Sequence, residues 1–296
     1  MKVWLRRAGM AFGGLAVLLL LALGGVYGMS ASAVGTGHAA EPHPFDASIG
    51  NAVEGQRLAA MYGCRDCHSQ DLGGQLLIDG MPFAVVPANN LTAGRPGGAL
   101  TDQEFELAVR HGVGTDGRAL FVMPSADYHY LSDQDVADIL AYIRTVAPVA
   151  RELPARRFGP IGRTLTALGK VPFQTEVLAA DPNARHMEKP SAEEPEQLGY
   201  YFTRLCMGCH GMDLGGAPPM DPSMPPGANL TPAGNLGNWT LQDFRTVFAT
   251  GRTPEGKQLD PAFMPWNVIG GDAAPEEIDA IWAYLRTLEP IERSFE

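Results

Sequence analysis

The chain opens with an uncharged apolar run from Ala8 to Met29, preceded by Lys2, Arg6 and Arg7. As a helix this run would span about 33 Å, enough to cross a bilayer. Trp4 and Tyr27 lie near its two ends, where interfacial aromatics belong, and the basic residues should stay cytoplasmic. Beyond it the apolar positions follow helical spacing. Helices are expected over Val53–Tyr62 and Glu196–Leu205. Further ones start at Thr101-x-x-Glu104, a capping box, and at Thr240-x-x-Asp243. Another runs from about Ser132 to Val146, with Ile139, Tyr142, Ile143 and Val146 on one face. Its counterpart follows Pro275 and carries Ile278, Ile281, Trp282 and Leu285. Loops rich in Gly, Pro and Asn, such as 215–238, fill the gaps, and no alternating strand pattern competes. The expected fold is all-α.

Comparison of the chain with itself shows an internal repeat. Asn90-Leu91-Thr92 recurs as Asn229-Leu230-Thr231, Phe105 as Phe244, and Met123-Pro124 as Met264-Pro265. The segment Ala141–Thr145 recurs as Ala283–Thr287, and Pro148 as Pro290. Order is kept, so a duplicated domain of about 95 residues is expected. The resulting division is an anchor or signal over 1–29, a flexible tether over 30–52, a first domain over 53–150, a connector over 151–194 and a second domain over 195–296. Ala31-Ser32-Ala33 offers a signal-peptidase pattern as the competing reading of the start. The length of the apolar run favours a retained anchor, and either reading exports the chain.

The formal net charge is −11, which disfavours nucleic acid as a partner, since a phosphate-reading surface would be basic. The charge is uneven. Residues 46–150 carry 6 basic and 13 acidic side chains, and residues 191–296 carry 6 and 15. The connector stretch 151–190 carries 7 and 4, so two acidic modules flank a basic link. Gly162–Lys170 in that link reads as a short helix, placed either between the domains or on the membrane surface.

All four cysteines fall in two C-x-x-C pairs, each followed directly by histidine: Cys64, Cys67 and His68, then Cys206, Cys209 and His210. Two sulfurs at this spacing can add across the two vinyl groups of a porphyrin, with the adjacent histidine held beneath the iron. Two covalently attached haem c groups are expected, with His68 and His210 as axial ligands. A structural zinc site or a redox dithiol is the alternative. Zinc would need the pairs to converge, and a dithiol needs no histidine twice.

For the opposite face of each iron, Met123 and Met264 follow their histidines at nearly equal spacing, and both precede proline. A thioether is a soft ligand that favours ferrous iron. His111 and His129 are rivals in the first domain only. Met207, Met212, Met220 and Met224 lie too close to the attachment site. An iron-bound histidine normally donates its other ring N–H to an acceptor, and the carbonyls of Pro87 and Pro226 are candidates.

Haem motif, Asn-Leu-Thr loop, Met-Pro loop and a last helix with Ala-Tyr-(Ile/Leu)-Arg together resemble class I c-type cytochrome domains, over about 50–150 and 195–292. The tandem arrangement resembles the cytochrome c subunits of bacterial alcohol and sugar dehydrogenases and related anchored di-haem cytochromes. The segment Gly234–Thr240 followed by Phe244 is typical of them. The resemblance implies crossing of first and last helices at Gly55 with Tyr142 and at Gly199 with Tyr284. It implies haem contacts for Asn90 and Asn229, and a propionate contact for Trp239, where the first domain has Leu100. It also implies electron transfer from a quinol-oxidising complex or dehydrogenase to an oxidase or reaction centre, in the periplasm and anchored in the bacterial inner membrane. A haem enzyme, such as a di-haem peroxidase or thiosulfate-oxidising cytochrome, is the alternative. A fixed subunit of a larger complex is a third reading.

Overall fold

The computed structural model describes residues 2–35, 37–38, 40–182, 184–219 and 223–295; Met220 lies outside them. The apolar run is one helix, α1 (Lys2–Met29), followed by the short α2 (Ala31–Val34). Next come α3 (Ala52–Met61), α4 (Cys64–His68), and strands β1 (Gln75–Gly80) and β2 (Ala84–Ala88). Helices α5 (Asp102–His111), α6 (Ser125–Tyr128) and α7 (Asp133–Thr145) precede strand β3 (Arg157–Phe158). Then α8 (Pro160–Ala167) and α9 (Gln174–Ala180) lead to α10 (Pro195–His210). The chain closes with α11 (Leu241–Thr250), α12 (Trp266–Asp272) and α13 (Pro275–Leu285).

The expected capping residues do their work. Thr101 and Glu104 form a reciprocal box at α5, and Thr240 and Asp243 form one at α11. Both helices end on a left-handed glycine, Gly112 at φ 66° and Gly251 at φ 70°, a conformation glycine adopts without a Cβ clash. The helices leading into the two haem motifs differ. Gly63, at φ 70°, ends the first and separates α3 from α4. Leu205 stands at that place in the second, and α10 runs unbroken through Cys206–His210.

The all-α expectation is corrected by a three-stranded antiparallel sheet, order β1-β2-β3, with a bulge between Leu76 and Ile78. Its central strand hid from pattern reading for two reasons. Ala84, Val85 and Val86 are all buried, so the strand shows a continuous apolar run instead of alternation. Pro87 sits within the run, and proline normally argues against a strand.

The chain forms two compact units. One comprises Met1–His43, Gly73–Ala126 and Pro148–Ala184, the other Pro44–Leu72, Asp127–Ala147 and Arg185–Glu296. In the first, the core gathers Ala33, Val34, Ala84, Val86, Ala119, Phe158 and Phe173, with Phe83, Phe121 and Val122 packed on it. Phe121, Phe158 and Phe173 meet with ring centroids 5.4–5.7 Å apart. Residues 31–34, read from sequence as tether, are therefore tied into this core. The connector is no bare spacer either. It supplies β3, α8 and Phe173, and Arg156 donates to the Ala119 carbonyl at 2.5 Å. The expected helix within Gly162–Lys170 is α8, begun earlier by Pro160 at its first turn.

The second unit is built on two helix crossings. α3 packs on α7, and α10 on α13. At the first, a Cβ on Gly55 would run into the Asp138 carbonyl; at the second, one on Gly199 would strike the Ala280 carbonyl and come within 2.8 Å of Tyr284 Cβ. The backbones touch because glycine has no side chain to separate them. The expected Gly199–Tyr284 approach is present, and on the α3 side the nearest atoms belong to Asp138 and Ile139.

Candidate haem-attachment sites

The second motif lies entirely in the second unit, with Met264. Cys206, Cys209 and His210 end α10, which places two sulfurs and one imidazole on successive turns of a single helix. His210 Nδ1 lies 2.8 Å from the Ala228 carbonyl. A proton on Nδ1 donated there leaves Nε2 with its lone pair for a metal. The acceptor is two residues beyond Pro226, the carbonyl expected from sequence. The loop reaches the histidine because Gly227 lies against the Cys209 carbonyl, with a would-be Cβ only 3.2 Å from His210 Cα. The ring is half-buried, and burial lowers its pKa against the opposing pull of the Ala228 carbonyl, keeping the neutral form a ligand needs.

The first motif, Cys64, Cys67 and His68, forms α4 in the second unit. Both motifs lead into the same tight turn. Leu72 at φ 53° and Leu214 at φ 58° are left-handed and fully buried, and their N–H groups donate to Ser69 and Gly211 respectively. A left-handed leucine is costly unless its surroundings fix it. All four cysteines are free thiols. Burial pushes Cys64 and Cys206 up to about 12, and raises Cys67 and Cys209 as well. Sulfurs kept neutral fit thioether bonds to a porphyrin, which carry no charge.

Met123 belongs to the first unit and is set by the Phe121–Val122 edge of its core. The two Met-Pro segments adopt one turn. The Met123 carbonyl accepts from Ser125 N at 2.9 Å, and that of Met264 from Trp266 N at 2.7 Å, each just before a short helix. The rival ligands are engaged elsewhere. His111 Nε2 lies 3.0 Å from the buried Glu106 carboxylate, and the buried His129 has its Nε2 3.2 Å from Arg204 Nη2.

The Asn-Leu-Thr loops hold the chain after each last helix. Asn90 Oδ1 accepts from Thr92 N, and Nδ2 donates to the Val149 carbonyl at 2.7 Å. Asn229 repeats this with Thr231 and the Ile291 carbonyl, also at 2.7 Å. The threonine hydroxyls accept from Val149 N and Ile291 N. Trp239 donates its indole N–H to Glu255 at 2.7 Å, while Leu100 is buried.

Asp127 and Tyr128 of α6, with Tyr130 just beyond it, bear on both motifs, and sequence reading passed over these three because the repeat holds no counterpart. Asp127 faces Gly208, inside the second motif, at 3.2 Å from a would-be Cβ. Tyr128 donates to the Tyr62 carbonyl, just ahead of the first motif, at 2.5 Å. Tyr130 packs edge-on to Tyr201 at 5.2 Å and under the Arg204 guanidinium at 4.9 Å.

Comparison with known proteins agrees with this geometry. The chain is 25% identical over 277 residues to the fructose dehydrogenase cytochrome subunit of Gluconobacter japonicus, covering 84% of this chain and 54% of that one. It is 24% identical over 284 residues to the cytochrome c subunit of the quinone alcohol dehydrogenase of Gluconacetobacter polyoxogenes, covering 83% and 58%. It is 26% identical over 278 residues to a diheme cytochrome c-type protein of Cereibacter sphaeroides, covering 85% and 90%. The chain thus spans little more than half of the two dehydrogenase subunits. Together with the two motifs, these likenesses assign it two covalently bound haem c groups. The cytochrome c family model matches residues 52–147 and 200–289, more than half of the chain, which therefore belongs to the cytochrome c family.

Proposed function

We propose that this protein is a membrane-anchored di-haem electron carrier, built by tandem duplication of one cytochrome c domain, with both irons ligated by histidine and methionine. The observation that carries the reading is the pair of haem-attachment helices, each within a span matched by the family. The duplication is supported by matched left-handed leucines, helix-crossing glycines and Asn-Thr clamps. Bound haem supplies a one-electron iron couple. Cys64, Cys67, Cys206 and Cys209 would hold the two groups covalently, His68 and His210 would ligate the irons, and Met123 and Met264 would complete the two ligand sets. Saturating both irons suits outer-sphere transfer.

The donor is a dehydrogenase or quinol-oxidising complex, as the names of two relatives suggest, and the acceptor an oxidase or reaction centre. Anchoring to the bacterial inner membrane, with the haem domains in the periplasm, is supported by Gly9–Met29, whose mean hydropathy is 2.2. Spectroscopy of Met123→Ala and Met264→Ala tests the ligation. Each variant should open one iron to carbon monoxide or cyanide and lower that iron's potential. A first haem left six-coordinate and unchanged in Met123→Ala would put His111 or His129 in place of the methionine, and would revive a catalytic reading.

A further inference from the structure

From the first unit we infer that α8 and the tip of the β1–β2 hairpin form a lipid seat, in which Met81, Ile161 and Leu168 dip into the headgroup region of the membrane around the exit of α1. This rests on α1 spanning the bilayer. None of its apolar window is covered by protein, so these side chains need another apolar surrounding.

The exit of α1 is not a loose joint. Ser30 N donates to the Val26 carbonyl and Val34 N to that of Ser30, so helical bonding carries on past the span. Ser30, Ala33 and Val34 are then buried. The first unit is thereby held directly at the membrane surface. α8 is fastened at the same level. The Arg163 guanidinium stacks 4.6 Å from the ring centroid of Tyr27 and donates to Ser30 Oγ at 3.3 Å. A tyrosine at the end of a span sits among headgroups, so the helix pinned to it lies there too.

α8 has an inward and an outward side. Inward, a Cβ on Gly162 would come within 2.5 Å of the Phe83 carbonyl and 3.1 Å of Phe158 Cδ1. Ile161 and Leu168, the residue that caps the C-terminal end of α8, stand seven residues apart, about two helical turns, and so fall on one side of it. They are 49% and 64% exposed. The hairpin tip adjoins them. Ile161 N donates to the Pro82 carbonyl at 3.2 Å, and Met81, 52% exposed, reaches over Gly159. One exposed apolar side chain is ordinary; three around the foot of a membrane span form an insertion surface of the interfacial kind. Exposed Lys170 borders it, as suits contact with anionic headgroups.

The test uses the full-length haem-loaded protein in phosphatidylcholine–phosphatidylglycerol vesicles. With the native cysteines bonded to haem, single nitroxide labels can be placed through Ile161→Cys, Leu168→Cys, Leu20→Cys within α1 and Lys257→Cys as an exposed control. Relaxation by oxygen, which favours lipid, is compared with relaxation by a water-soluble nickel chelate. At 161 and 168 the oxygen-to-nickel ratio should exceed that at 257 severalfold. A ratio equal to that at 257, with Leu20 reading as bilayer-buried, overturns the seat and leaves the anchor standing. Labels at 161 and 168 shielded from both relaxants would mean that a protein surface covers them, which also overturns a lipid occupant. A water-exposed label at 20 would overturn the anchor, and the seat with it.

Discussion

At the level of single residues, two carboxylates of the second unit respond to acid in opposite ways. Glu54 has its pKa lowered, first by its hydrogen bond to Arg57, with burial opposing and the charges of Arg57 and Lys189 assisting. Its contribution to stability is complete above the ordinary 4.5 and is lost as pH falls through the lowered folded value. Asp135 is the reverse. Burial raises its pKa, against Lys189 and the Tyr201 hydroxyl, which donates to it at 2.7 Å. The unfolded chain ionises it first, so stability falls as pH climbs from 3.8 to the raised folded value and returns on acidification. Asp135→Asn keeps an acceptor for Tyr201 but removes that compensation. The variant should therefore lose more stability than the wild type between neutrality and about pH 4, read as the shift of the urea midpoint. A smaller loss in the variant would refute the assignment.

Among the elements, the helix crossings carry the sharpest consequence. Gly55→Ala and Gly199→Ala each push a methyl group into the facing backbone carbonyl. Neither carbonyl can swing away, because it belongs to a packed helix. Each change should destabilise by about 1–3 kcal/mol, seen as a lower melting temperature of the haem-loaded protein. Unchanged melting in both would mean that the helices stand farther apart than described. The crossing glycines were legible from the family resemblance. The sheet was not, since a strand buried on both faces loses its period and a proline within it points the other way.

For the molecule as a whole, the notable contact lies within the second unit, where Arg57 of α3 reaches the foot of α13. Its guanidinium donates to both carboxylate oxygens of Glu277, at 2.7 and 2.8 Å, and to the Asp272 carbonyl. Glu277 is nearly inaccessible, with 7% side-chain exposure, and also caps α13 by accepting from Ala274 N at 2.9 Å. Arg57→Ala strands that carboxylate and should cost about 3–5 kcal/mol. Adding Glu277→Gln removes the stranded charge and should restore part of the loss in urea unfolding. Simple additivity of the two changes would show that the groups do not act as a pair.

The sequence by itself determined the chemistry of this protein. Haem attachment is a matter of local spacing, C-x-x-C-H, and needs nothing remote to be read. Helix starts at Thr101 and Thr240 and the membrane-length run are likewise local, set by capping and by apolar length. Tertiary structure decided the rest. The acceptor for His210 became the Ala228 carbonyl because Gly227 allows that loop to press on Cys209. The stretch after α1 became core because Ala33 and Val34 find Phe158 and Phe173, more than a hundred residues away in the chain. Asp127–Tyr130 and the Arg57–Glu277 pair carry no repeated or periodic signal. Their roles come from partners distant in sequence, and such pairings exist only once burial and hydrogen bonding have chosen among the surfaces the helices present.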